Sequence, residues 1–515
     1  MKPFGIAEQA LLWQALIVTK IESFDVCVIG SGIAGLTAAA LLQHDGARVL
    51  LLEAHDKPGG CAGYFSLGAF TFSAGATVAL GLEANGLHRR VFEQLGVRDY
   101  QAHQLPGLRV LLPEREVIVW HDAARWKQAR RALPGHRTGQ ELFWKLQEIL
   151  ADCGWRALEK WPSLPLQTSR DWRRNLALAD PRLLPMLPFL GCTVGDALRV
   201  LKIADDRDFV ALLNLLLIIT TQSEAGESPL TNGCSGLDLF RHGAYHLPGG
   251  MGTIAKLLCE AFVRDGGTAH FGEHVTHVVP ERGAFHISSE NTHYRAAKVV
   301  ANVPLPNVAK LAKLPPRAQR NLDANLQRSP PAWGAVTLYA AVREDVLPRD
   351  GGQVWQHQQV LLDYAARPGD GRDVFVSLSR PGDLLQAPRG WRALTASTHT
   401  RLAEWDDLSP QQYRERKREW REKLLSGVRR LLPDFDAGRK FVVVGTPRTW
   451  QSYTQRQRGN VGGVPTTLAN ANLRALPQRL GLRDFWVVGD WTFPGQGTVA
   501  CALSGINVWR EISGK

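Results

Sequence analysis

Three stretches of this chain carry residue types and spacings suited to holding a nucleotide. The first is Gly30-x-Gly32-x-x-Gly35, set between an apolar β-type run, Phe24 to Ile29, and an alanine-rich helical run that stops at His44-Asp45-Gly46. In such a motif the first glycine permits a tight turn and the second lets the backbone approach a pyrophosphate. The third lets helix and strand pack closely, while free N–H groups at the helix start face the phosphates. The second stretch begins at Glu53, which ends the next apolar run, Arg48 to Leu52. An acid there is placed to accept hydrogen bonds from a ribose diol and disfavours a 2′-phosphate. Lys57, Gly59, Gly60 and Cys61 follow it as a second glycine turn. The third stretch is "FWVVGDWTFPGQGTVACALSG", Phe485 to Gly505. Its strand runs through Gly489 to Asp490, a carboxylate that needs partners if buried; sugar hydroxyls are suitable ones. Gly495 and Gly497 allow backbone close to a flat ring. The helix starting at Thr498 and Val499 aims a positive dipole end at whatever precedes it.

Positioning these stretches requires elements that are distant in sequence. The first 30 residues after Phe24 read as a β-α-β unit, the expected size for a dinucleotide-binding half. The middle, about 108–240, reads as helical and tryptophan-rich. "YHLPGGMGTIAKLLCEAF" then gives a turn and a helix, followed by a Gly-Gly break and strands that include "FHISS" and "KVVANVP". Further strands are expected at "WGAVTLYAAV", "VFVSLS" and "KFVVVG", together with a charged helix at "QQYRERKREWREK". The expected fold class is α/β, a Rossmann-like nucleotide domain with an interleaved α+β substrate domain. The expected division is an extension at 1–21, nucleotide-domain segments at 22–107, 241–304 and 474–515, a substrate- or membrane-facing helical region at 108–240, and the rest of the substrate domain at 305–473.

Composition narrows the classes. With 515 residues, 44% hydrophobic and 21% charged, the chain can bury a large core and is not a disordered or collagen-like protein. The net charge of +12 comes from bases mixed with acids, without the clean basic stripe or motif of a nucleic-acid binder. Attraction to anionic lipid remains open. Seven scattered cysteines with no CxxC pair argue against a disulfide framework or zinc site and fit a reducing cytosol. The start of the chain is a poor signal peptide. The longest apolar run, Phe209 to Ile219, is about half of a membrane span. It suits a core helix, a tunnel wall or a shallow lipid contact. His270, His274 and His277 do not read as a metal site, since 274 and 277 point to opposite faces of a strand and no metal is expected.

Glu53 followed by Gly59-Gly60 resembles the FAD-binding amino terminus shared by amine oxidases and carotenoid desaturases. Where many of those relatives place Arg after the paired glycines, this chain has Cys61. That departure removes a phosphate-contacting cation and points to the carotenoid branch. The thiol itself reads as a small packed residue. "GDWTFPGQGTVACALSG" resembles the carboxyl-terminal motif of the bacterial phytoene desaturase family. "PGGCAGYFSLGAFTFSAGATVALGLEANGLHRRVFEQLGV", "VLLPEREVIVWHDAARWKQARRALPG" and "RGNVGGVP" are similar to cyanobacterial-type carotenoid 3,4-desaturases.

The resemblance implies FAD as cofactor, an apolar polyene (carotenoid) substrate and a cytoplasmic location, peripheral on the inner face of the membrane. It implies cofactor contacts from Gly30, Gly32, Gly35, Glu53, Lys57, Gly59, Gly60, Cys61, Val275, Gly489, Asp490, Gly497, Thr498 and Val499. The implied reaction is 3,4-desaturation of an acyclic, 1-hydroxylated end group. A hydride would leave the allylic carbon for the flavin and a proton its neighbour, with positioning in a dry tunnel carrying much of the catalysis. His88 is the one candidate base, weighed against an ordinary core or surface histidine. The alternatives are a carotenoid cis–trans isomerase using reduced FAD, and a non-catalytic carotenoid-binding protein. An amine-oxidising activity is disfavoured by Cys61 and the "FPGQGT" wording.

Overall fold

The computed structural model describes residues 22–290, 292–349 and 354–515; the expected extension at 1–21 lies outside them. Two seven-stranded sheets organise the molecule. In the first, Thr268–Phe271, Val49–Glu53, Ser23–Ile29, His293–Ala301 and Phe485–Val487 run parallel to their neighbours. Val275–Glu281 and Ala284–Ser289 extend it as an antiparallel meander. The parts of its central strands that reach the core, 26–29, 49–52 and 299–301, are continuous apolar runs and fully or almost fully buried. The amino-terminal helix Ile33–His44 and the last helix Thr498–Ser513 pack against each other. They approach so closely that a Cβ at Gly505 would overlap the Ala34 carbonyl oxygen. Three sequence segments that never adjoin thus share one core, in which Val28, Leu51, Val300 and Ile506 are fully buried.

The second sheet is ordered Arg439–Gly445, Trp333–Arg343, Trp391–Arg401, Asp373–Leu378, His357–Leu361, Gly107–Leu111, Glu116–Trp120. The last two strands fall where a helical region was expected. "LRVLLPEREVIVW" is two short, largely apolar runs, the second rich in β-branched residues, on either side of a polar Pro-Glu-Arg-Glu turn, which favours a hairpin over the helical character of the residues beyond Trp120. The rest of 108–240 is mainly helical, including Arg137–Glu159 and Arg207–Thr220. On the second sheet, Val336, Leu338, Val374, Val376, Leu394 and Ala396 face the helix Pro410–Leu431, whose Trp420 is fully buried beneath the charged surface read from the sequence. The intervening residues face the other way, into a cavity. Period-two alternation therefore separates a packed face from a lining face.

The apolar run Phe209 to Ile219 forms most of a buried helix, and Leu216 and Ile219 from it border the same cavity. Tryptophans divide similarly: Trp126 and Trp144 are core neighbours with ring centroids 5.2 Å apart, Trp155 and Trp161 line the cavity, and Trp172 is exposed. No helix among the described residues is long and apolar enough to cross a membrane.

Candidate cofactor and substrate site

The parallel strands of the first sheet deliver their following residues to one edge. Gly30 follows Ile29, Glu53 closes its own strand, Asn302 follows Ala301, and Gly489-Asp490 comes two residues after Val487. In open parallel sheets this carboxyl edge is where ligands bind. A cavity of about 1250 Å³ begins there and continues between the two sheets. That exceeds the ~300–1,000 Å³ of an ordinary small-molecule pocket. It has room for a dinucleotide and a second large molecule.

Gly30 turns at φ +95°, and the helix that follows is capped by Gly32 with no side-chain hydrogen bond, so its first-turn N–H groups are left for a ligand. A Cβ at Gly35 would overlap the Gly30 carbonyl oxygen, which explains the third glycine by packing alone. Gly32 has an additional constraint, because the Asn302 amide lies over it. In the orientation that satisfies both neighbours, Asn302 accepts from Gly32 N at 2.9 Å and donates to Val488 O at 3.3 Å. Glu53 is held rigidly: Oε2 accepts from Ser31 N and Oγ, both at 2.6 Å, and Oε1 from His55 N at 2.9 Å. The second glycine turn is pinned to the first by Gly59 N donating to Ser31 O at 2.8 Å, with Gly59 and Gly60 both at positive φ. Lys57 borders the cavity with its ammonium 5.7 Å from the Tyr64 ring centroid. Val275, at the start of its strand, is buried against the same edge.

At the far end of the chain, Gly489 and Gly497 take positive φ, and the last helix opens with no side-chain cap. The buried Thr498 Oγ1 has no hydrogen-bond partner, and Val499 lines the cavity beside it. Unsatisfied buried hydroxyls are uncommon and point to a missing ligand.

Asp490 differs from expectation. It is already paired: Arg456 Nη2 lies 2.8 and 3.1 Å from its two carboxylate oxygens. Arg456 Nε donates to Asn460 O at 2.7 Å. The pair is largely buried, with side-chain exposures of 13% and 14%. Burial opposes the guanidinium charge, yet the Asp490 carboxylate leaves its pKa above the ordinary value. Arg456, two residues ahead of "RGNVGGVP", thus brings a cation beside Cys61 from almost 400 residues later in the chain. The Cys61 thiol is pushed up by burial, consistent with a packed, un-ionised residue.

His88 requires a correction. It is fully buried, is not among the cavity-lining residues, and stacks on Phe92 with centroids 6.4 Å apart. Burial pulls its pKa down to about 4. It supplies no base to the cavity. Another pair does border it: His242 Nε2 lies 3.1 Å from Glu83 Oε1, His242 stacks on Trp155 at 4.0 Å, and the buried Glu83 Oε2 has no partner. Sequence spacing offers no link between positions 83 and 242. Among the three weighed histidines, His270 meets Tyr294, His274 meets Glu290, and His277 meets Thr276. No cluster of three or more His, Cys, Asp or Glu side chains among the described residues is arranged for a metal.

The profile of flavin containing amine oxidoreductases matches residues 33–512. The chain belongs to that family. Its cofactor is FAD, and the unpartnered Thr498 hydroxyl, the uncapped helix starts and the glycine turns fit that molecule. A chloroplastic prolycopene isomerase from Daucus carota is 26% identical over 95% of this chain and 79% of its own length. An all-trans-retinol 13,14-reductase from Danio rerio is 23% identical over 96% and 86%. Wild-type putrescine oxidase bound to putrescine shares the fold with a TM-score of 0.64, at 14% identity over 96% of this chain and 99% of that one.

Proposed function

We propose that this flavoenzyme acts on the polyene of a carotenoid, as a 3,4-desaturase of an acyclic, 1-hydroxylated end group. The observation that carries the reading is the continuous cavity joining the cofactor edge to an apolar chamber lined by Leu216, Ile219, Phe240 and Phe375. The relative from Daucus carota, named for prolycopene isomerisation, supports a polyene there; the motif resemblances around residues 58–97 and 110–135 support desaturation. FAD, when bound, supplies two-electron redox chemistry.

The chain's own residues do the rest. Gly30, Gly32, Glu53 and Gly59-Gly60 hold the nucleotide half, and Asp490, Arg456 and the Thr498 helix start hold the flavin half. Preorganised N–H dipoles and the Arg456 cation favour negative charge at that end. Apolar side chains exclude water and orient the polyene, so positioning supplies a large share of the rate. Glu83 Oε2, unpartnered and braced by His242, is the atom placed to take a proton. Contact with the membrane, the source of so apolar a substrate, is proposed through Trp172, Leu176, Leu184 and Leu187. These are exposed together in one stretch with Arg170, Arg173 and Arg182.

Carotenoid cis–trans isomerisation is the second reading, favoured by the similarity to prolycopene isomerases over 95% of the chain. Product mass separates the two. Cells that make hydroxylated acyclic carotenoids and express this chain are expected to yield a pigment two hydrogens lighter. An unchanged mass with altered cis–trans composition would replace desaturation by isomerisation.

A further inference from the structure

The lining face of the second sheet is not uniformly apolar. Where its neighbours on the packed face are Val336, Val360, Val374 and Ala396, the lining face carries Thr337, Gln359, Asp373, Ser397 and His399. Register brings these together. Thr337 pairs with Ser397, Ser397 with Phe375, and Phe375 with Gln359, forming one row across four strands. Two residues along, His399 and Asp373 form the next row, about 7 Å away. Gln222 joins them from just past the helix Arg207–Thr220: its carbonyl accepts from Trp333 Nε1 at 3.0 Å, and the Trp333 ring lies 5.9 Å from His399.

Several polar groups here are buried and incompletely satisfied. Gln359 is 1% exposed and Gln222 3% exposed. Each spends its amide nitrogen on a backbone carbonyl, Leu215 at 3.1 Å and Val461 at 3.4 Å, and leaves its amide oxygen without a partner. Asp373 is 8% exposed, with Thr398 Oγ1 donating to it at 3.3 Å. Each orphaned acceptor calls for a donor, because a buried acceptor left empty destabilises the fold, and the one O–H of a ligand hydroxyl can satisfy one of them. Nor does the site hold a firm charge. Burial keeps His399 neutral, with a pKa near 4, and raises Asp373 to about 7. A neutral donor therefore fits better than an anion or an ammonium. The subsite also adjoins the last loop, since Gln496 Nε2 donates to Ile219 O at 3.2 Å, close to Gln222 in the chain.

We propose that Gln222, Gln359, Asp373 and His399 form a subsite that binds a hydroxyl group carried on the end of the polyene and sets its register against the cofactor. This rests on the carotenoid reading above. It adds the residues that read the end group, which neither the family match nor the motifs assign.

The test compares two ligands on the FAD-loaded enzyme: an acyclic carotenoid bearing a tertiary terminal hydroxyl, and the same hydrocarbon without it. Binding is followed by the carotenoid and flavin absorbance changes in detergent. The wild type is expected to prefer the hydroxylated ligand by roughly tenfold, the usual scale for satisfying a buried acceptor. Gln359→Met and Asp373→Asn are each expected to cut that preference to about twofold or less, with affinity for the hydrocarbon unchanged or improved. Equal affinity of the wild type for both ligands, or full preference retained in both variants, overturns the subsite while the carotenoid reading stands. Binding of neither ligand overturns both. Equal affinity of the wild type overturns the subsite without any variant, and if Gln359→Met does not fold, Asp373→Asn, which is isosteric, carries the residue assignment.

Discussion

At the scale of single residues, the cofactor end depends on a pair that no local motif contains. Asp490 and Arg456 are each other's main partner in a largely buried setting. Removing either leaves an uncompensated charge, which in buried pairs costs about 3 kcal/mol or more. Arg456→Met is therefore expected to lower the melting temperature of the apoprotein as well as the FAD retained per chain after gel filtration. Asp490→Ala should do the same. Normal flavin content in both variants would remove this pair from the site. His88 illustrates the converse: its position after a family-like segment made it a candidate, but burial on every side takes it out of reach of the cavity.

At the scale of elements, the first and last helices act as one unit. The last helix contributes the uncapped end at Thr498, and its aim depends on how it rests on Ile33–His44. Gly505 is the contact that sets this, since even a methyl group there would meet the Ala34 carbonyl. Gly505→Leu is expected to destabilise the fold by at least about 2 kcal/mol, the scale of overpacking in a tight interface. Chemical denaturation of the holoenzyme measures it, and a loss of FAD affinity should accompany the shift. A neutral result would mean that the helix pair can slide apart without consequence. The second sheet works through alternation, one face packed on Pro410–Leu431 and the other lining the cavity.

At the scale of the whole molecule, the cavity joins two chemistries, a cofactor edge on the first sheet and a chamber in which apolar side chains such as Leu216, Ile219 and Phe240 face a polar row on the second sheet. On the carotenoid reading proposed above, a lipid-soluble substrate must reach it, and the proposed route is the stretch around Trp172 to Leu187, which exposes apolar side chains among arginines. The double change Leu184→Ser and Leu187→Ser is expected to weaken binding to vesicles containing anionic lipid by roughly tenfold. Added salt should weaken the wild type as well. Co-sedimentation checks both, and unchanged binding of the double variant would place the contact elsewhere.

Much of the nucleotide half was legible from the chain itself. The turn at Gly30, the helix behind it, Glu53 at the next strand's end and the closing helix from Thr498 depend on local sterics and hydrogen bonding, which a short run of residues specifies. The two strands within 107–120 are two short, largely apolar runs around a Pro-Glu-Arg-Glu turn, and were absorbed into a helical reading of their surroundings. What only the tertiary structure decided is which distant residues meet. Arg456 reaching Asp490 beside Cys61, Asn302 lying over Gly32, Glu83 meeting His242, and the polar row on the second sheet all join segments tens to hundreds of residues apart. That "WGAVTLYAAV" and "VFVSLS" are strands was legible, but a strand's period of two says only that it has two faces. Which face is packed and which borders a cavity depends on the elements that cover each side, and that is settled only when the chain is folded.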